Sequence, residues 1–245
     1  MMFNKKVKLT AYTWENDIFV NEKPTYCKPD NADWLKRLKS SNKHHDYQRN
    51  YSFDVASAKQ CPAINNYINS GIKFKAWTQI RVRVNPDGMV EHLQGTQDPG
   101  PSPLVTQHSA DQYQYIYQQS KTAFKLTNPW ILKSSENIKY VFTESHYSTN
   151  ILRENNIIIA PGLIDYKYQY ATNVHMIVDV KKEPYEIIIP YGTPLFTLFP
   201  LTEREIDFSC EFISQEEYNK IHTHFPRCPY KRYNQLIKNL SGSKS

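Results

Sequence analysis

Between Ile157 and Pro200 the chain alternates short apolar runs with turn residues, and this rhythm restricts the fold more than any other feature. Ile157 to Ala160, Val174 to Val180, Tyr185 to Ile189 and Leu195 to Phe199 are rich in β-branched and aromatic residues. Pro161-Gly162 and Pro190-Tyr191-Gly192 punctuate them. The even spacing of these runs predicts the successive strands of a β-barrel or sandwich. Ile138 to Thr143 adds a strand upstream, and the β texture extends from Phe124 to Phe212.

The first 120 residues are more mixed. Val7 to Thr13 alternates as a strand. Asn31 to Ser40 is a helix candidate with an apolar face of Trp34, Leu35 and Leu38, capped by Asp30 or Asn31. Ser40 to Arg49 is polar and is expected to loop out. Cys61 to Gly71 forms a second helix, with Pro62 in its first turn and Gly71 as its stop. Ile72 to Val84 reads as one long strand, with Phe74, Ile80 and Val82 on one side and Lys73, Lys75, Arg81 and Arg83 on the other. Asn85-Pro86-Asp87-Gly88 turns it back into Met89 to Leu93 as a hairpin. The basic side is either a binding face or the solvated side of a sheet. Tyr113, Tyr115 and Tyr117 alternate strictly, as a stacking platform or as half-buried strand residues. Ser214-Gln215-Glu216-Glu217 has the form of a capping box and opens a helical end, with a last helix over Tyr230 to Leu240. The expected organisation is a single domain over 1–245: an N-terminal elaboration over 1–120 carrying a long hairpin at 72–93, a β core over 121–212, and a helical extension over 213–245.

Composition removes several classes of function. No apolar run approaches the roughly 20 residues of a membrane-spanning helix, and the start of the chain has no apolar signal core, so a cytoplasmic location and no membrane partner are expected. Cys27, Cys61, Cys210 and Cys228 show no C-x-x-C or zinc-ligand spacing, and no metal site is expected. His44-His45 and the pair His222 and His224 are the only close histidines. A net charge of +6 permits an anionic partner without requiring one, and basic residues are not interleaved with the tyrosines as a nucleic-acid surface requires. Nucleic acid is therefore not the expected partner. With only 7 glycines, a glycine-rich phosphate loop is not expected either.

One constellation resembles the dUTPase and dCTP-deaminase superfamily. Gly162-Leu163-Ile164-Asp165 with Tyr168 three residues on matches its Gly-Val/Leu-Ile-Asp turn and following Tyr. A hairpin follows, then Gly192 and the run Leu195 to Phe199, in the family's order. Upstream, Trp130 to Phe142 sits where the family has a hairpin. Glu144-Ser145-His146-Tyr147-Ser148 sits at its phosphate-binding Arg-Ser-Ser motif. The resemblance covers 121–200. It implies a mainly β fold, a dUTPase-like β-barrel or distorted jelly roll with short peripheral and C-terminal helices, and homotrimers with sites at subunit seams. It also implies a site with Asp165 as the base that activates water, Tyr168 under the sugar, and Gly162, Ser145, His146 and Ser148 around the ligand. Triphosphate hydrolysis needs cationic and hydroxyl donors against the phosphates, with Mg²⁺, and a carboxylate base.

This sequence departs from that pattern where the chemistry is most demanding. Glu144 or Ser145 replaces the phosphate-motif Arg, Tyr170 replaces a Gly, and Thr197 replaces the Gln of the last core strand. No glycine-rich arm follows Ser214. The expected reading is therefore a non-catalytic protein without a cofactor, acting by protein or small-ligand binding. Its alternative is a nucleotide- or sugar-acting enzyme or sensor with a pocket at Asp165 and Tyr168, the only case in which Mg²⁺ enters. More loosely, Trp34, Cys61-Pro62, Asn128-Pro129-Trp130 and Ile189 to Pro194 resemble an uncharacterised protein family of phages, cyanophages and bacteria. This resemblance implies a phage-type accessory protein in the host cytoplasm.

Overall fold

The computed structural model describes residues 6–27, 33–93, 104–108, 120–147 and 151–223, with residue 238 isolated beyond them. Among the described residues the chain is mainly β, with few and short helices. In chain order the elements are β1 (Val7–Thr13), α1 (Asn16–Asn21), β2 (Thr25–Tyr26), α2 (Asp33–Arg37), β3 (Ser41–Asp46) and β4 (Tyr51–Ala56). A 3-10 turn at Ala58–Gln60 leads to α3 (Pro62–Asn69), β5 (Ile72–Lys75), β6 (Ile80–Val84), β7 (Val90–His92), β8 (Val105–Gln107), β9 (Lys121–Leu126) and β10 (Ile131–Ser134). Then come β11 (Lys139–Glu144), α4 (Ile151–Glu154), β12 (Ile158–Ile159), β13 (Gly162–Asp165), β14 (Val174–Asp179), β15 (Tyr185–Ile189), β16 (Pro194–Pro200), β17 (Ile206–Phe212) and α5 (Gln215–Thr223).

These strands form open sheets with the orders β10-β1-β17, β13-β11-β16-β5-β2, β12-β14-β9-β8, β15-β6-β7 and β3-β4. The strands expected over 157–200 are present. Their texture matches their position: β16 lies between β11 and β5, and Leu195, Phe196, Thr197 and Leu198 are all buried, as a strand covered on both faces requires. Phe196 stacks on Phe74 of β5 at 4.5 Å. One continuous apolar core runs from Val7 and Leu9 through Phe74, Ile80, Phe124, Tyr140 and Met176 to Ile206.

Several local expectations hold in detail. α3 starts at Pro62, whose missing N–H costs nothing there, and ends before Gly71, where φ is +85°. Gly88 has φ +83° and closes the turn between β6 and β7 by donating its N–H to the Asn85 carbonyl at 2.9 Å. In the capping box, the Ser214 hydroxyl accepts from the Glu217 amide at 3.2 Å, and the Glu217 carboxylate accepts from the Ser214 amide at 3.2 Å.

Other expectations are corrected. Ile72 to Val84 is not one strand. A bend at Ala76–Gln79 sends β5 into the five-stranded sheet and β6 into another. The bend is held by the turn before β16: Gly192 (φ +75°) donates to the Ala76 carbonyl at 2.8 Å, and Ala76 donates to the Thr193 carbonyl at 2.8 Å. The polar segment Ser40 to Arg49 is not a loop, because β3 pairs with β4 from Ser41↔Ala56 to Asp46↔Tyr51. The helix expected at 31–40 is described only as Asp33–Arg37. Trp130 to Phe142 is not a hairpin: β10 pairs with β1, while β11 pairs with β13 and β16. The 1–120 segment is woven into the sheets rather than laid on a separate core. β1 is the middle strand between β10 and β17, β5 flanks β16, and β6 pairs with β15. Tyr113, Tyr115 and Tyr117 and the helix expected over 230–240 fall outside the described residues, apart from residue 238.

Candidate functional site

Asp165 is the last residue of β13, where the chain leaves the sheet. It is 5% exposed. Its Oδ1 accepts from the Lys167 amide at 3.0 Å, and its carbonyl accepts from the amides of Tyr168 at 3.1 Å and Gln169 at 2.9 Å. This is a side-chain-capped turn, a use for which Asp is suited because its short carboxylate reaches the amide two residues on. Burial pushes the Asp165 carboxyl above its usual range, with the Lys167 amide and the charges of Lys167 and Lys139 opposing the shift. Tyr168 is half-buried beside it, and the Lys167 ammonium lies 5.8 Å from its ring centroid. The neighbouring Tyr166 is fully buried and hydrogen-bonds the Thr172 hydroxyl.

Gly162 serves packing. It pairs with Phe142 across β11 and β13, and a Cβ on Gly162 would stand 2.2 Å from Phe142 Cε1. The Phe142 ring lies over the bare glycine backbone and has no space for a side chain there.

Ser145 and His146 do not face Asp165. Lys139 is the partner of Asp165 on β11. From Lys139 to Ser145 is roughly 20 Å of extended chain, at about 3.3 Å per residue. The expected single pocket of Asp165, Tyr168 and His146 is therefore split between opposite ends of β11. Ser148 lies outside the described residues. Glu144, at the phosphate-motif position, approaches Arg153 at 3.7 Å and His146 at 3.8 Å.

The far end of β11 has a small cavity of its own. It has a volume of about 10 Å³, and Cys27, Tyr67, Lys73, His146, Tyr147 and Thr197 line it. The sheet register explains why these residues meet. Lys73 pairs with Thr197 on one side and Thr25 on the other, so all three share a face with Cys27, opposite to Phe74 and Phe196. The Ser145 and Thr197 hydroxyls are 2.9 Å apart. α3 covers this face, with the Tyr67 hydroxyl donating to the Glu144 carbonyl at 3.1 Å. Burial pushes the Tyr67 phenol up to about 12. Tyr147 closes the rim with φ +66°, a backbone region costly for a non-glycine residue. The Trp34 indole N–H, donating to its carbonyl at 2.8 Å, holds it there.

The sequence pattern missed Lys73. Alternation placed it on a basic face with Lys75, Arg81 and Arg83. Instead Lys73 is 5% exposed, while Arg81 and Arg83 both bind the Glu186 carboxylate, at 3.1 and 2.9 Å. No continuous basic face exists across β5 and β6, because they lie in different sheets. The signal that would have found Lys73 is its place in a run buried on both sides of β5, which becomes visible only once β16 and α3 are known to flank it.

A wider groove of about 550 Å³ lies between Tyr26, Ser70, Phe199, Arg204 and Ile206. Its arginine is taken by Glu136 in a two-pronged pair at 2.7 and 2.8 Å. Among the described residues no group of three His, Cys, Asp or Glu side chains is placed to hold a metal, and no helix is long and apolar enough to cross a membrane. His44 packs on Phe53 while His45 meets Ser52 Oγ at 3.0 Å, so the adjacent pair points to opposite faces of the hairpin. Cys27, Cys61 and Cys210 are free thiols. Cys228 and the side chains of His222 and His224 lie outside the described residues.

No protein-family model and no curated protein matches the chain. Fold and site together define a mainly β protein of open sheets, with a turn-capping aspartate at one end of its central strands and a buried lysine at the other.

Proposed function

We propose that this chain is a binding protein on a dUTPase-like jelly-roll scaffold, of the phage accessory type, and not a nucleotide hydrolase. The observation that carries the reading is the engagement of Asp165. Its Oδ1 accepts from the Lys167 amide in a turn, and the Ser145 hydroxyl that a phosphate clamp would need lies at the other end of β11. A base without its clamp lacks the electrostatic term that dominates phosphoryl chemistry. Glu144 adds negative charge where a triphosphate needs positive. The scaffold part of the reading is supported by the Gly192 turn leading into the doubly flanked strand β16. Assembly as a homotrimer belongs to the same proposal.

The test is a steady-state assay of the full chain with nucleoside triphosphates and Mg²⁺. The expected result is no multiple turnover. Turnover that disappears in Asp165→Asn overturns the reading in favour of its alternative, a nucleotide- or sugar-acting enzyme in which burial has tuned Asp165 as a base.

A further inference from the structure

Among the described residues, the Lys73 cavity holds a basic group with no carboxylate in its lining. The Lys73 residue is 5% exposed, and its ammonium makes no hydrogen bond or ion pair among the described residues. A buried ammonium without a counter-charge is costly, and folded proteins rarely keep one unless it is paired or has a ligand. The groups facing it are few. Cys27 comes from beside β2, Tyr67 from α3, His146 and Tyr147 from the segment after β11, and Lys75 from its own strand. None of these described residues is a carboxylate. Glu144, two residues before the lining residue His146, is turned to Arg153 and His146. Thr197 and Ser145 bring two hydroxyls to the same face. The cavity thus gathers a cation and hydroxyl donors around space for one water-sized species.

We propose that this cavity is a binding site for one terminal anionic oxygen of a carboxylate or phosphate group, received by Lys73 and the Thr197 hydroxyl, with the rest of the ligand lying at the His146–Tyr147 rim. The inference rests on the reading of the chain as a binding protein, and it names the ligand chemistry. The size of the cavity selects the oxygen rather than the whole group. The rim has the exposure a ligand body needs, with the Tyr147 residue 38% and the His146 side chain 41% exposed. Burial holds the Lys73 amine below its usual value, and an arriving anion opposes that shift by favouring the charged form.

The experiment is isothermal titration calorimetry of the full chain with sodium phosphate and with sodium acetate at constant ionic strength, from about pH 8 to 10, above the ordinary imidazole range. Saturable binding of either probe is expected, weakening as pH rises. Phosphate alone identifies a phosphate source, and acetate as well identifies a carboxylate. Lys73→Met fills the same space without charge and is expected to weaken binding by about tenfold or more, the scale of a lost charged hydrogen bond. Thr197→Val, which removes only the hydroxyl, must also weaken it, and this variant decides the matter if Lys73→Met does not fold. Absence of binding in the wild type, or unchanged affinity in the variants, overturns the site. Either result leaves the turnover assay untouched, so failure of the site and failure of the binding-protein reading are separate outcomes.

Discussion

Asp165 and Gly162 belong to one short motif, yet each has a structural task that can be measured. Asp165→Asn keeps an oxygen for the Lys167 amide and removes a buried charge. Asp165→Ala removes the acceptor. Because burial raises the Asp165 pKa above 3.8, the folded chain holds a proton that the unfolded chain has lost between that value and the raised one. Stability therefore falls as pH rises through that window, and the full cost of the charge is present above it. At neutral pH, Asp165→Asn is expected to unfold within about 1 kcal/mol of the wild type or above it, and Asp165→Ala about 1–3 kcal/mol below. Urea denaturation compares them, and an Asn variant less stable than the Ala variant would contradict the turn-capping role. For Gly162→Ala, the 2.2 Å approach to Phe142 predicts a loss of about 1–3 kcal/mol from overpacking. Shrinking the neighbour in Phe142→Leu should make the Gly162→Ala step cheaper. Additive losses in the double-mutant cycle would show that the ring is not what Gly162 accommodates.

At the scale of elements, the β3–β4 hairpin stands apart. Among the described residues it pairs with no other strand, every residue of β4 is exposed, and Tyr51, Phe53 and Val55 share one solvent-facing side with His44. An isolated two-stranded hairpin is marginal in water. Its amides are expected to exchange through local opening, far faster than those of β14 and β9, whose Val174, Met176, Phe124 and Leu126 are fully buried. Hydrogen exchange resolved by mass spectrometry measures this, and equal protection of the two pairs would refute it. Sequence alone did not reveal this element, because Ser41 to Asp46 has neither apolar alternation nor β-branched residues. Its strand state comes from pairing with Tyr51 to Ala56. The strands β14, β15 and β16 were legible because each carries its own apolar pattern. The break in Ile72 to Val84 was not, since alternation continues through Ala76 and Thr78 while the cause of the bend, the Gly192 turn, lies far along the chain. The candidate site divides in the same way. The motif around Asp165 could be read locally, whereas Lys73, Cys27 and Thr197 come together only through strand register.

For the whole molecule, the same register argues against a separable C-terminal β core. β1 is parallel to β17 from Val7↔Ile206 to Thr13↔Phe212 and antiparallel to β10 on its other edge, so its removal leaves β17 without its described strand partner and β10 with only its bridge to Ala171. Loss of β5 exposes one edge of β16 and one face of Phe196, and loss of β6 leaves β15 without its described partner. The continuous core also loses Val7, Leu9, Ile72, Phe74, Ile80, Val82 and Leu104, all essentially buried. Each fully buried aliphatic or aromatic side chain contributes about 1.5–3 kcal/mol, while a whole domain is stable by only about 5–15 kcal/mol. A fragment spanning 121–245 is therefore expected not to fold, and the full chain is expected to lose its β signal in one cooperative transition. Circular dichroism of the fragment and thermal unfolding of the full chain test both statements. A fragment that melts cooperatively would show that the N-terminal strands are an addition to a self-sufficient core. Co-expression with 1–120 supplies the converse: recovery of the β signal from two separately unfolded pieces is what interleaved pairing requires.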